Sequence, residues 1–154
     1  MQIEYVKGDL FATEIHTIAH GCNAQGVMGS GVAKIIKERY PDAFKRYRNQ
    51  YEKQGVLKLG DIIVVPCEYI GEKKIIVNAI TQEIFGRDGR RFVSYDAVAE
   101  SMAKINNMFE IYGISEIAMP QIGAGLGGGD WKVISAIIES ELKSVKPYVY
   151  ILES

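Results

Sequence analysis

Residues 20–33, HGCNAQGVMGSGVA, follow the short apolar run Thr17, Ile18 and Ala19 and lead into residues with helical spacing, so they read as strand, loop and helix start. Four glycines (Gly21, Gly26, Gly29, Gly31) stand beside two side chains able to do chemistry, His20 and Asn23. Glycine allows close approaches that a Cβ forbids, and free N–H groups at a helix start favour an anion. A phosphate-bearing ligand is the first expectation. The alternative is that the glycines only make a tight turn.

Upstream, residues 3–6 read as a strand and Lys7-Gly8-Asp9-Leu10 as the turn leaving it. Asp9 is then a capping or turn residue, or a carboxylate that accepts from a ligand amine. Downstream, Val32, Ile35 and Ile36 give one apolar helix face. Pro41 opens a second helix over 42–53, whose Phe44, Tyr47 and Tyr51 form a core stripe. Ile- and Val-rich strands follow at 61–66 and 74–80. Residues 81–91, TQEIFGRDGRR, break all periodicity and read as a functional loop. Ser94 caps a long helix that stops at Gly113, and a strand over 114–120 runs into QIGAGLGGGDW. Asp130 caps a helix over 131–143, and 147–152 supply a last strand. Strands alternating with helices predict an α/β fold with helices covering a largely parallel sheet, its ligand sites beyond the strands' carboxyl ends.

The chain has 154 residues, expected to form one domain over 1–154, with 47% hydrophobic and 24% charged residues. A formal charge of −1 argues against broad electrostatic binding to nucleic acid, so a phosphate must be gripped locally. Cys22 and Cys67 have no zinc-type spacing and suggest no disulfide framework, which points to a reducing cytoplasm. The N-terminus lacks the apolar core of a signal peptide, and no run approaches a membrane span. No metal site and no cofactor are expected, and the protein is expected to be a monomer.

Gly123, Gly125 and Gly128 satisfy G-x-G-x-x-G, but no acidic residue ends a following strand of a βαβ unit, so a Rossmann site is not expected. Gly26 and Gly31 imitate a P-loop, yet Val32-Ala33 stands where Lys-Ser/Thr should be. Two glycine loops at one sheet edge could instead hold a diphosphate by backbone N–H groups, without net positive charge. The segments Lys7-Gly8-Asp9-Leu10, HGCNAQG with Gly29-Ser30-Gly31-Val32-Ala33, MPQIGAGLGG with Asp130-Trp131, and Val149-Tyr150-Ile151-Leu152 resemble the macrodomain family over essentially the whole chain. The likeness is greatest to the small branch of ADP-ribose 1''-phosphate phosphatases and terminal ADP-ribose glycohydrolases.

The resemblance implies a three-layer αβα macrodomain fold with a mixed, largely parallel central sheet, and ADP-ribose or ADP-ribose 1''-phosphate as ligand. It implies Asp9 near the adenine with Tyr150 and Leu152 flanking it, Leu10 as a further ligand-binding residue, and Asn23 at the distal ribose. Gly29, Ser30, Gly31 and Val32 would face the diphosphate from one side, and Gly123, Ala124, Gly125, Leu126 and Gly127 from the other. Glycohydrolases with a catalytic lysine place it where this chain has Gln82, and an aspartate where it has Gly127, which favours the phosphatase. His20 can act as nucleophile, general acid or base beside the distal ribose, or merely hydrogen-bond its neighbours. Asp130 is a helix cap first and a second catalytic candidate. Three functions remain open: a hydrolase of ADP-ribose 1''-phosphate or of ADP-ribosylated macromolecules, a non-catalytic ADP-ribose reader, and an NAD-binding oxidoreductase.

Overall fold

Strands whose residues are apolar in succession, rather than in alternation, are buried on both faces. Strand β2 (Thr17–Asn23) is such a strand: every residue but Gly21 is buried. Adjacent residues therefore feed opposite cores. Ile18 and Ile76 pack with Ile36, Ala43 and Tyr47, whereas Ala19 and Val77 pack with Met102, Ile105 and Ile134. The computed structural model describes residues 1–85 and 91–152.

The remaining strands are β1 (Glu4–Lys7), β3 (Ile62–Tyr69), β4 (Glu72–Gln82), β5 (Glu116–Met119) and β6 (Lys146–Ile151). They form a six-stranded sheet in the order β1-β6-β5-β2-β4-β3. All neighbours are parallel except β3 with β4. Helices α1 (Gly31–Arg39) and α2 (Pro41–Gln54) cover one face, and α3 (Tyr95–Tyr112) and α4 (Trp131–Glu141) the other. The result is the expected α/β fold of three layers. The caps at Ser94 and Asp130 accept from Ala97 N and Lys132 N, and Gly113 ends α3 in the left-handed conformation, as the sequence indicates.

The strand ends differ from the sequence reading. β3 and β4 run past 61–66 and 74–80 to close a hairpin over Ile70 and Gly71, both at positive φ (51° and 76°). Such a two-residue turn matches strand twist, and its arms are wet, so Glu68, Glu72 and Lys73 sit in strand where an apolar run would stop. A 3₁₀ turn over Leu10–Ala12, capped by Asp9, is too short to leave a periodic signal. Of the loop expected over 81–91, Thr81 and Gln82 belong to β4, and 86–90 lie outside the described residues, as do Glu153 and Ser154. Among the described residues no helix is long and apolar enough to cross a membrane.

One buried cation ties the sheet to the segment before β2. Lys74 Nζ donates to the carbonyls of Thr13 and Ile15, both at 2.8 Å, and meets the exposed carboxylate of Glu72 at 3.1 Å. Two carbonyls would lose their donor in Lys74→Met, while the ion pair with an exposed partner adds little. Lys74→Met should lower the unfolding free energy by about 2 to 3 kcal/mol, measured by urea denaturation. A loss below about 0.5 kcal/mol, the lower end for one hydrogen bond, would show that the two bonds do not hold the segment.

Candidate functional site

The carboxyl ends of β2, β4 and β5 diverge into a cleft of about 500 Å³, a size that suits a small-molecule ligand. His20, Gly21, Cys22, Asn23, Thr81 and Gln82 border it from the strands. Residues 29–33 form one wall, Gln121–Gly123 and Gly125–Gly127 the other, and the exposed Phe85 and Leu126 stand at the rim. None of these described residues carries a formal charge at neutral pH.

The first wall is the start of α1. Its N-cap Ser30 is extended and makes no side-chain capping bond. The first amides of a helix have no acceptor within it, so the backbone N–H groups of Gly31, Val32 and Ala33 offer donors and the positive end of the helix dipole together. Gly31 needs glycine for its φ of +59°.

The second wall folds back on itself. Gly129 N donates to Gly123 O at 2.8 Å, and Gly127 O accepts from Phe92 N and Val93 N at 2.7 and 3.1 Å. A Cβ at Gly127 would lie 2.7 Å from Gly123 O, so a side chain there displaces backbone. Gly125 differs: a Cβ there meets nothing within 4 Å, and its backbone borders the cleft.

Asn23 organises the loop between strand and helix. Its Oδ1 accepts from Gln25 N (2.9 Å), Val27 N (3.4 Å) and the Tyr47 hydroxyl (2.9 Å), and its Nδ2 donates to Val27 O (2.8 Å). The Tyr47 hydroxyl also donates to Asn23 O at 2.6 Å. One Nδ2 hydrogen stays available, so Asn23 shapes the first wall before it can serve a sugar. Tyr47, read from sequence as core stripe, is buried core and also the clasp of this loop. Its hydroxyl is the only sequence cue to the second role.

His20 lies inside its strand, fourth of the seven residues of β2, and not at the strand end the sequence suggested. Its Nε2 stands 2.6 Å from Asn78 Oδ1. An amide oxygen only accepts, so Nε2 carries the proton and Nδ1 does not. Asn78 Nδ2 in turn donates to Ala43 O of α2. Burial lowers the His20 pKa to about 4, more than the bond to Asn78 raises it. Only about one molecule in a thousand is then charged at pH 7, which speaks against His20 as a general acid. Cys22 Sγ lies 3.5 Å from Nε2, so cysteine, histidine and asparagine meet as in a thiol hydrolase. They are not one: the ring nitrogen nearer to Cys22 is the one Asn78 already holds, Nδ1 lies farther off at 3.8 Å, and burial pushes the thiol far above its ordinary range.

Other expected residues lie elsewhere. Asp130 Oδ1 accepts from Lys132 N at 2.9 Å and caps α4, outside the cleft lining, which leaves its carboxylate without a reacting centre there. Ala124 also lies outside the lining, its N–H bonded to Gln121 O within the turn. Asp9 caps its own 3₁₀ turn through Phe11 N, Leu10 is core, Tyr150 bonds Thr13 Oγ1 at 2.6 Å, and Leu152 is exposed at the end of β6. Gly8 N donates to Ile151 O, which holds Asp9 beside Leu152 at the carboxyl ends of β1 and β6, on the side of β5 away from β2 and β4 and outside the cleft lining. Thr81, Phe85, Gln121 and Ile122 border the cleft without having been expected there.

Fold and cleft together define an α/β protein with a ligand site of backbone loops at the carboxyl edge of its sheet. The Macro domain family model matches residues 19–138, and the chain belongs to the macrodomain family. It is 36% identical over 143 residues to an uncharacterized 17.5 kDa protein in the tk-vs intergenic region of Enterobacteria phage T4, covering 91% of this chain and 90% of that one. It is 26% identical over 162 residues to the ADP-ribose 1''-phosphate phosphatase of Lodderomyces elongisporus, covering 99% and 100%. The solved macrodomain of Thermus aquaticus DarG matches with a TM-score of 0.81 at 26% identity, over 97% of this chain and 98% of that one.

The neutral His20 makes stability depend on pH. Its folded pKa, about 4, lies below the ordinary imidazole value of 6.5. The unfolded chain therefore binds the extra proton between these values, and stability falls as pH drops from 6.5 toward 4. The loss attributable to His20 should reach about 3 kcal/mol at pH 4, seen as the difference in pH slope between wild type and His20→Gln in urea titrations. Identical slopes would mean that His20 is not held neutral.

Proposed function

We propose that this chain binds ADP-ribose in the cleft and hydrolyses ADP-ribose 1''-phosphate, with the diphosphate between the two loops. The observation that carries the reading is a nucleotide-sized cleft walled on both sides by backbone, with no charged side chain among its described lining residues. Such a site holds an anion by fixed N–H dipoles and a helix start instead of by lysine or arginine. The family, and full-length similarity to a phosphatase of that substrate, support the same reading.

Two positions favour phosphate release over release of ADP-ribose from a macromolecule. Gln82, where lysine-dependent glycohydrolases have lysine, is neutral, and its Nε2 donates to Ile84 O at 2.8 Å. Gly127, where they have aspartate, has no room for a side chain beside Gly123 O. In the proposed reaction a water oxygen bonds to phosphorus as the bond from phosphorus to the 1'' oxygen breaks, leaving ADP-ribose and inorganic phosphate. The loops hold the diphosphate, Asn23 keeps the first loop in shape, and His20 with Asn78 forms a rigid neutral floor. His20, whose pKa is about 4, is too weak a base to hold the water's proton, which passes to the departing 1'' oxygen and leaves it as the hydroxyl of ADP-ribose.

Purified protein should bind ADP-ribose by calorimetry and release phosphate from ADP-ribose 1''-phosphate in the presence of a metal chelator. At Gly125 a Cβ meets nothing within 4 Å and the φ is not positive, so Gly125→Val should fold and lose about 100-fold in affinity, equivalent to about 2.7 kcal/mol. Unchanged affinity in the folded variant would remove the clamp. Binding without phosphate release would leave the reader or the macromolecular hydrolase, which an assay with ADP-ribosylated protein and DNA separates.

A further inference from the structure

Among the described residues, one buried side-chain oxygen or nitrogen lacks a hydrogen-bond partner: the Oγ1 of Thr81. Thr81 is 1% exposed and borders the cleft. Its main chain has its own work, since Thr81 O accepts from Ser94 N at 2.8 Å. The hydroxyl serves no turn and no cap. A valine would fill the same volume, and an unpartnered buried hydroxyl costs the empty protein stability.

The backbone around Thr81 is built to place that hydroxyl. Cys22 stands opposite Ile80 and Asn23 opposite Gln82, so the register of β2 and β4 slips there and Thr81 faces no residue of β2. A bulge of this kind re-aims a side chain and is common beside active sites. Across from it, Gly21 leaves the space open. A Cβ on Gly21 would lie 2.8 Å from Thr81 Oγ1 and 3.2 Å from Ile122 Cγ2. The hydroxyl thus faces the space that the missing side chain of Gly21 leaves, a space Ile122 also borders, and Gly21, Thr81 and Ile122 all line the cleft.

We propose that Thr81 is a ligand-binding residue whose hydroxyl hydrogen-bonds a hydroxyl of the sugar beyond the diphosphate. This rests on the ADP-ribose reading. Strand order sets which end of the ligand reaches it: Asp9 and Leu152 lie beyond β5, at β1 and β6, whereas Thr81 is on β4, on the far side of β2. With the base toward β1 and β6 and the diphosphate between the loops, the second sugar arrives over β2 and β4. A neutral hydroxyl there suits a sugar hydroxyl, which both donates and accepts.

The test titrates wild type, Thr81→Val and Thr81→Ser with ADP-ribose and with ADP, which lacks the second sugar, and records the melting temperature of each unliganded protein. Thr81→Val should bind ADP-ribose about tenfold more weakly and ADP within about twofold of wild type, the loss of one neutral hydrogen bond. It should melt no lower than wild type, because a methyl replaces an orphan hydroxyl. Thr81→Ser keeps the donor and should stay within about threefold for both ligands. Equal binding of ADP-ribose by wild type and Thr81→Val overturns the proposal, as does an equal loss for both ligands, which would move the contact to the diphosphate. A lower melting temperature for Thr81→Val would make the hydroxyl structural and overturn it too. Wild type that binds neither nucleotide overturns the ADP-ribose reading itself, and the wild-type titration shows this apart from any variant.

Discussion

A strand buried on both faces can carry polar side chains only if each finds a partner inside the protein. β2 lies in the middle of the sheet and carries His20, Cys22 and Asn23 on its last four residues. Much of the surrounding structure answers that requirement. Asn78 of β4 meets the imidazole and passes the demand to a helix carbonyl, and Tyr47 of α2 reaches up to Asn23. α2 is thereby tied to the sheet at two polar points as well as by its apolar stripe. The cleft inherits its shape from these bonds, because the loop they hold is its first wall.

The same requirement explains why the imidazole is a poor acid. A charged His20 would need an anionic or strongly accepting neighbour in the core, and the neighbours are an amide and a thiol. Burial outweighs the single hydrogen bond, and the neutral form prevails. A histidine near a glycine loop reads as chemistry in a sequence, because sequence shows its neighbours along the chain and not its distance from water.

The fold was legible where its cause is local. Ser94, Asp130 and Gly113 mark helix ends by capping geometry that acts within a few residues, and the buried strands announce themselves by uninterrupted Ile and Val. The walls of the cleft were legible for the same reason, since a glycine loop before a helix is a local pattern. What escaped depends on pairs far apart in the chain. Tyr47 and Asn23, His20 and Asn78, and Gly21 and Thr81 are separated by 24, 58 and roughly 60 positions, and no periodicity links them. The hairpin ends escaped because a strand exposed on both faces carries charges like a loop. Asp9, Tyr150 and Leu152 came from family resemblance, and the structure sets them along the sheet edge from the cleft and not in its lining.

The glycines of the two loops, which look alike in sequence, separate by physical cause. Gly123, Gly127 and Gly129 are required by packing, and Gly123 also by its φ of 77°: a Cβ at each would come within 2.9 Å of another atom, from Val93 or from the loop's own backbone. They would be glycine in an empty protein. Gly31 is required by its φ, which turns the chain into α1. Gly125 and Gly29 have neither constraint, with ordinary φ and only Val27 Cγ1, at 3.6 Å from Gly29, in reach of a Cβ. Both border the cleft, so the folded chain itself does not require glycine at these two positions, whereas the ligand proposed above would, by the close approach of its diphosphate to their backbone. A glycine-rich pattern is thus weak evidence taken whole, since most of its members answer to the fold. The informative members are those the fold leaves free.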